Sequence, residues 1–109
     1  MIYCKIFKVT GGIIAGIQLE GHSPTNLGSK GENLLCAGVS TLVQSAHSYL
    51  ASQDSLESET KRDGYLEFLV KENQRVGYQS LLTMLEFGLK NLASSHSQAI
   101  SIQEVFIKG

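Results

Sequence analysis

Two apolar runs split by a glycine pair set the first constraint on this chain. Ile2, Cys4, Ile6, Phe7 and Val9 form a short strand-like run that stops at Thr10-Gly11-Gly12. Ile13, Ala15, Ile17 and Leu19 then share one face, with Gln18 and Glu20 on the other, the period-2 signature of a half-buried strand. Paired glycines reach positive φ at no steric cost, so the two runs read as a β-hairpin.

Beyond the hairpin the period changes. Gly21 to Gly31 holds three glycines and the chain's single proline, the composition of a loop. Asn33 reads as the N-cap of a helix over about 34–52, because Leu35, Val39, Leu42, Val43, Ala46 and Leu50 recur at helical spacing. Ser52 to Asp63 is polar and reads as a surface linker. Leu66, Phe68 and Val70 alternate with Tyr65, Glu67 and Lys71, which predicts a third strand. Tyr78, Leu81, Leu82, Leu85, Leu89 and Leu92 form the stripe of a second helix, closed by Ser94 to Ser97, and Ile100, Ile102 and Phe106 predict a last strand. The expected fold is therefore α+β: a sheet of about four strands with two helices packed on it, in the order ββαβαβ.

At 109 residues, 42% hydrophobic and 17% charged, the chain has the length and composition of a single globular domain over 1–109. Nine basic against ten acidic side chains give a net charge of −1, which argues against an electrostatic grip on nucleic acid. Lys5 and Lys8 interrupt the first apolar stretch, so no signal-peptide core forms, and the stretch from Asn33 to Gln53 is too polar to span a membrane. A cytoplasmic protein whose Cys4 and Cys36 stay reduced is expected.

The candidate chemistry is the pairing of Cys36 with His22. A cysteine in the first turn of a helix lies near backbone N–H groups that stabilise its thiolate. A histidine can take the thiol proton and return it to a leaving amine. The N–H groups of Cys36 and Ala37 are candidate oxyanion donors. Spacing alone leaves Cys36 open between this role and that of a small buried apolar residue, and His22 open between base and solvated loop residue. Cys4 reads as core, His47 as a packing residue and His96 as exposed. His22, Cys36 and His47 lack paired-ligand spacing, so neither metal nor cofactor is expected. Ser40 and His47 lie too far apart along their helix to form a serine–histidine pair.

The block Gly21-His22, a glycine-rich loop, then Gly31-Glu32-Asn33-Leu34-Leu35-Cys36-Ala37-Gly38-Val39-Ser40 resembles the ribosomal-processing cysteine protease family, Prp. That family has Gly-His after its second strand and Asp-Ile-Val-Cys-Ala-(Ala/Gly)-Val-Ser at its first helix. The resemblance implies that His22 and Cys36 are the catalytic pair of a cysteine endopeptidase. It implies as substrate a bacterial large-subunit ribosomal protein precursor with an N-terminal extension, and a homodimer. Here Asn33 replaces the family's Asp, and Leu34-Leu35 replace Ile-Val. Asn33 is then expected either to cap the helix or to orient His22 through its amide oxygen, as in Cys-His-Asn proteases. The alternative reading is a non-catalytic protein-binding or ribosome-assembly module on the same fold.

Overall fold

The computed structural model describes residues 1–21 and 30–108, with the backbone alone for 30–34. The elements are β1 (Ile2–Val9), β2 (Ile13–Gly21), α1 (Lys30–Ser52), β3 (Leu56–Arg62), β4 (Tyr65–Val70), α2 (Gln79–Ser95) and β5 (Ile100–Phe106), with two short 3₁₀ turns leading into α2. The five strands form one sheet in the order β3-β4-β2-β1-β5. β1 pairs antiparallel with β2 and parallel with β5, while β4 pairs antiparallel with both β2 and β3. The α+β class is as expected, but the sheet has five strands rather than about four and the order is ββαββαβ.

The added strand lies in the segment read as a linker. β3 runs Leu-Glu-Ser-Glu-Thr-Lys-Arg and is exposed at every position after Leu56. An edge strand with solvent on both faces has no apolar alternation to betray it, and charges there discourage pairing with other chains. What fixes it is register: Glu59 pairs with Phe68, Lys61 with Leu66, and Arg62 with Tyr65 across the Asp63-Gly64 turn.

A second difference lies inside the hairpin. Phe7 pairs with Gly16 but Lys8 with Ile14, so Ala15 is an extra residue in β2 and the pairing register slips there. A bulge of this kind flips the side-chain parity on either side of it. Ile14 and Ile17 therefore join the helix-facing core, while Ala15 packs with Phe7 and Val9 in a small cluster of its own. Gly16 allows β4 to come close, since a Cβ there would run into the carbonyl oxygen of Phe68.

The main core lies between the sheet and the two helices. From α1 it takes Leu35, Val39, Val43, Ala46 and Leu50, spaced by three or four residues, and from α2 Leu82, Leu85 and Leu89. The helices themselves approach closely at small residues, where Leu42 packs over Gly88 and Leu92 near Gly38.

Beside this core, Lys8 reaches from β1 to two carboxylates, Glu104 of β5 at 2.8 Å and Glu86 of α2 at 3.1 Å. Lys90 lies 3.5 Å from each of the same carboxylates. The hydrogen bond to Glu104 raises the Lys8 pKa and, reinforced by Glu86, outweighs the opposing effect of burial. The same hydrogen bond from Lys8 lowers the Glu104 pKa below its ordinary 4.5. A lowered carboxyl pKa means that the folded state favours the ionised form. The stabilisation is thus complete above the ordinary value and lost as pH falls through the lowered one. Glu104→Gln should accordingly flatten the acid side of the stability–pH curve, measured by urea unfolding between pH 3 and 7. An unchanged acid limb would assign that loss to other carboxylates.

Candidate active site

One end of the sheet gathers the pieces of the site. β2 ends at Gly21, which has φ +104°, and a side chain there would collide with the carbonyl oxygen of Met1. The Gly21 N–H donates to the carbonyl of Gly64, in the β3–β4 turn, at 2.9 Å. The chain therefore leaves β2 towards His22 from a fixed point, held on one side by the start of β1 and on the other by the β3–β4 turn. His22 itself, and the loop after it, lie outside the described residues.

Gly21→Ala combines a strained φ with that collision. It should cost about 1–3 kcal/mol in stability. Activity should also fall, because the residue displaced is the one preceding His22. Chemical denaturation and a cleavage assay on the same variant check both, and a variant with full stability and full activity would contradict this role for Gly21.

α1 begins at Lys30, three residues before Asn33, so Asn33 lies within the helix rather than at its cap. This corrects the expected start near residue 34. Cys36 becomes the seventh helical residue, in the second turn, where the pull of the helix dipole is weaker. The N–H groups of Cys36 and Ala37 then fall beyond the four leading donors that lack an intrahelical partner. The helical pattern commits them to carbonyls four residues back, and they could bind an oxyanion only where the helix start opens around substrate. The signal that misled was Asn33 itself, a good capping residue that here follows a glycine-containing start.

Cys36 is half-buried and packs against the core, whereas Cys4 is fully buried on β1. Burial pushes the Cys4 thiol up to about 12, which leaves it protonated and inert. Neither cysteine is in a disulfide. His47 lies eleven residues beyond Cys36 on the same helix. At ~1.5 Å rise per residue that is about 16 Å, too far for a proton exchange. Its Nε2 instead meets Glu59 of β3, and its ring packs on Phe68 with centroids 5.7 Å apart. His96, expected to be exposed, is half-buried after α2, with its Nδ1 3.2 Å from the Leu92 carbonyl. Among the described residues no cluster of His, Cys, Asp or Glu is suited to a metal ion. No helix among the described residues is long and apolar enough to cross a membrane.

A cleft of about 460 Å³ opens at this end of the sheet. Gly21 and the Asp63-Gly64 turn form its rim, Leu19 and Leu66 its floor, and Ser40 and Gln44 of α1 one wall. Ser40 lies one helical turn after Cys36, so the two share a face of α1. Cys36 thus lies one helical turn from the wall of a concave surface whose rim is the exit point of the chain towards His22. Sequence reasoning did not identify this cleft, because one of its walls is the strand that was read as a linker.

This architecture has solved counterparts. The ribosomal processing protease Prp from S. aureus, in complex with a substrate peptide, matches with a TM-score of 0.80 at 17% identity, over 96% of this chain and 100% of that one. The same protease with a covalently linked product peptide matches with a TM-score of 0.80 at 18% identity, again over 96% and 100% of the two chains. SMU.848 from Streptococcus mutans matches with a TM-score of 0.78 at 23% identity, over 98% of this chain and 96% of that one. No curated protein matches the sequence. At these identities the solved structures speak for the fold. The sequence adds its own evidence, because the family described as cysteine protease Prp matches residues 1–101. The chain belongs to the cysteine protease Prp family.

Proposed function

We propose that this chain is a cytoplasmic cysteine endopeptidase that removes the N-terminal extension of a bacterial large-subunit ribosomal protein. The observation that carries the reading is one cleft lined both by Gly21, the residue before His22, and by Ser40, one helical turn beyond Cys36 on α1. The family membership and the S. aureus protease's complex with a substrate peptide support it.

The chemistry follows from the residue types. His22 takes the Cys36 proton, and the sulfur attacks the scissile carbonyl carbon. The tetrahedral intermediate collapses to a thioester as the imidazolium gives its proton to the departing amine. Water, deprotonated by His22, then attacks the thioester, which releases the carboxylate product and the thiol. A metal or cofactor has no part in these steps. Asn33, in place of the family's Asp, orients His22 through its amide oxygen. With Cys36 in the second turn, His22 rather than the helix supplies most of the thiolate stabilisation.

The working form is a homodimer. Thr41, Ser45 and Ser48 are exposed on α1 beside the cleft-lining Gln44, on a helix without Asp, Glu, Lys or Arg after Glu32, and such a face suits a second subunit.

Differential alkylation tests the site cheaply. Iodoacetamide near neutral pH should label Cys36 in minutes and leave Cys4 unmodified until the protein unfolds, as read by peptide mass spectrometry. A Cys36 no faster than an exposed model thiol would favour the non-catalytic binding or assembly module instead.

A further inference from the structure

The outward surface of the helix layer differs from the rest of the molecule in charge. α1 has no Asp, Glu, Lys or Arg from Leu35 to its end. The two charged residues of α2, Glu86 and Lys90, turn aside to Lys8 and Glu104 on the β5 flank. A helix face left to solvent normally carries charge, whereas the centre of a protein interface is depleted in it and enriched in Met and aromatic residues. The outward side chains here are also uneven in size. α2 presents Met84 and Phe87, 62% and 65% exposed, while α1 presents Ala37, Thr41, Ser45 and Ser48. Met84, Thr41 and Ser45 border a groove of about 210 Å³ between the helices, whose deeper walls are Leu42, Ala46, Leu81 and Leu85.

Large apolar side chains on one helix beside small ones on the other make a surface that fits a copy of itself. We propose that this face docks a second copy of the chain about a two-fold axis, α2 of each copy over α1 of the other, with Met84 and Phe87 seated on the opposite groove against Thr41 and Ser45. The inference rests on the homodimer reading and adds the interface and its anchors. Two-fold symmetry makes each such contact twice. Neither face brings an unpaired charge, so burial strips no ion of its water. At 1.5 Å rise per residue and about 10 Å of width each, α1 and α2 present a face on the order of 600 Å² in projection. Side-chain relief brings this towards the ~800 Å² that each partner of a stable complex buries. The cleft stays open in such a pair, because its α1 wall faces β3 and the β3–β4 turn rather than α2.

Sedimentation equilibrium of the full chain tests this. Wild type at tens of micromolar should have twice the 11.8 kDa mass of one chain. Phe87→Glu and Met84→Glu should each weaken the dimer at least about a hundredfold, because each drives a carboxylate into an apolar contact. Both side chains are exposed within one chain, so the variants should keep the wild-type circular dichroism; where one does not, Phe87→Ser takes its place with the same expectation. Tyr3→Glu and Phe106→Glu put the same charge on the opposite sheet face and on the β5 edge, at side chains 54% and 67% exposed, and should stay dimeric. Phe87→Glu mixed with Thr41→Arg should form a heterodimer, since one of its two equivalent contacts then joins opposite charges. A dimer that survives Phe87→Glu and Met84→Glu, or that only Tyr3→Glu or Phe106→Glu breaks, overturns the proposal and leaves the homodimer reading standing. A mixture of Phe87→Glu and Thr41→Arg that stays monomeric overturns the packing of α2 over α1. A wild type that sediments as one chain ends both the proposal and the homodimer reading.

Discussion

Cys36→Ala should reduce kcat at least about a thousandfold, a loss of roughly 4 kcal/mol of transition-state stabilisation, without unfolding the protein. The substitution removes one sulfur from a half-buried position at the edge of the core. Its cost in stability should stay below ~1 kcal/mol, within the range of mild changes outside a packed centre. Activity and stability therefore separate at this residue. His22→Ala should act alike, because a thiol without its base is a poor nucleophile near neutral pH. The double variant should be scarcely slower than either single one, since two residues that form one catalytic unit are lost together. Single-turnover kinetics on the three variants, alongside melting curves, measure this. Additive losses would mean that Cys36 and His22 act in separate steps.

Phe68→Ala should cost about 3–5 kcal/mol of stability, the range for emptying an aromatic site in a packed core. Phe68 is 0% exposed at the middle of β4, between the central strands and α1. It pairs with Ile17 on one side and Glu59 on the other, and its ring meets that of His47. Its loss opens a void shared by three strands and a helix. Small domains have only about 5–15 kcal/mol in total, so much of the stability would go. The melting temperature should fall by on the order of 20 °C. Urea unfolding gives the free energy, and a loss under 1 kcal/mol would show that the core closes over the gap.

The sequence disclosed elements wherever burial imposes a period. The leucine stripe of α2 and the alternation of β4 were legible because each has one face in the core. β3 was not, because a polar edge strand is held by backbone pairing to β4 and leaves almost no apolar trace. The Asp63-Gly64 dipeptide was the available hint, a turn of hairpin type before a strand already identified. The bulge at Ala15 was equally silent, since every residue around it is apolar or glycine and fits either parity. At the site, the Gly-His pair and the cysteine were legible as residue types, and their pairing as chemistry. The start of α1 was misplaced because two plausible helix starts lie within four residues of each other. The cleft was beyond sequence reasoning, because it exists only once β3 and the β3–β4 turn stand opposite α1.

The central claim is that this chain processes a ribosomal protein through Cys36. Its most direct test mixes the purified protein with a bacterial large-subunit ribosomal protein carrying its N-terminal extension and follows intact mass. The account predicts loss of the extension at a single bond, a new N-terminus in every product molecule, and an unchanged precursor when Cys36→Ala is used. An intact precursor with the wild-type protein, or equal cleavage by Cys36→Ala, would contradict it.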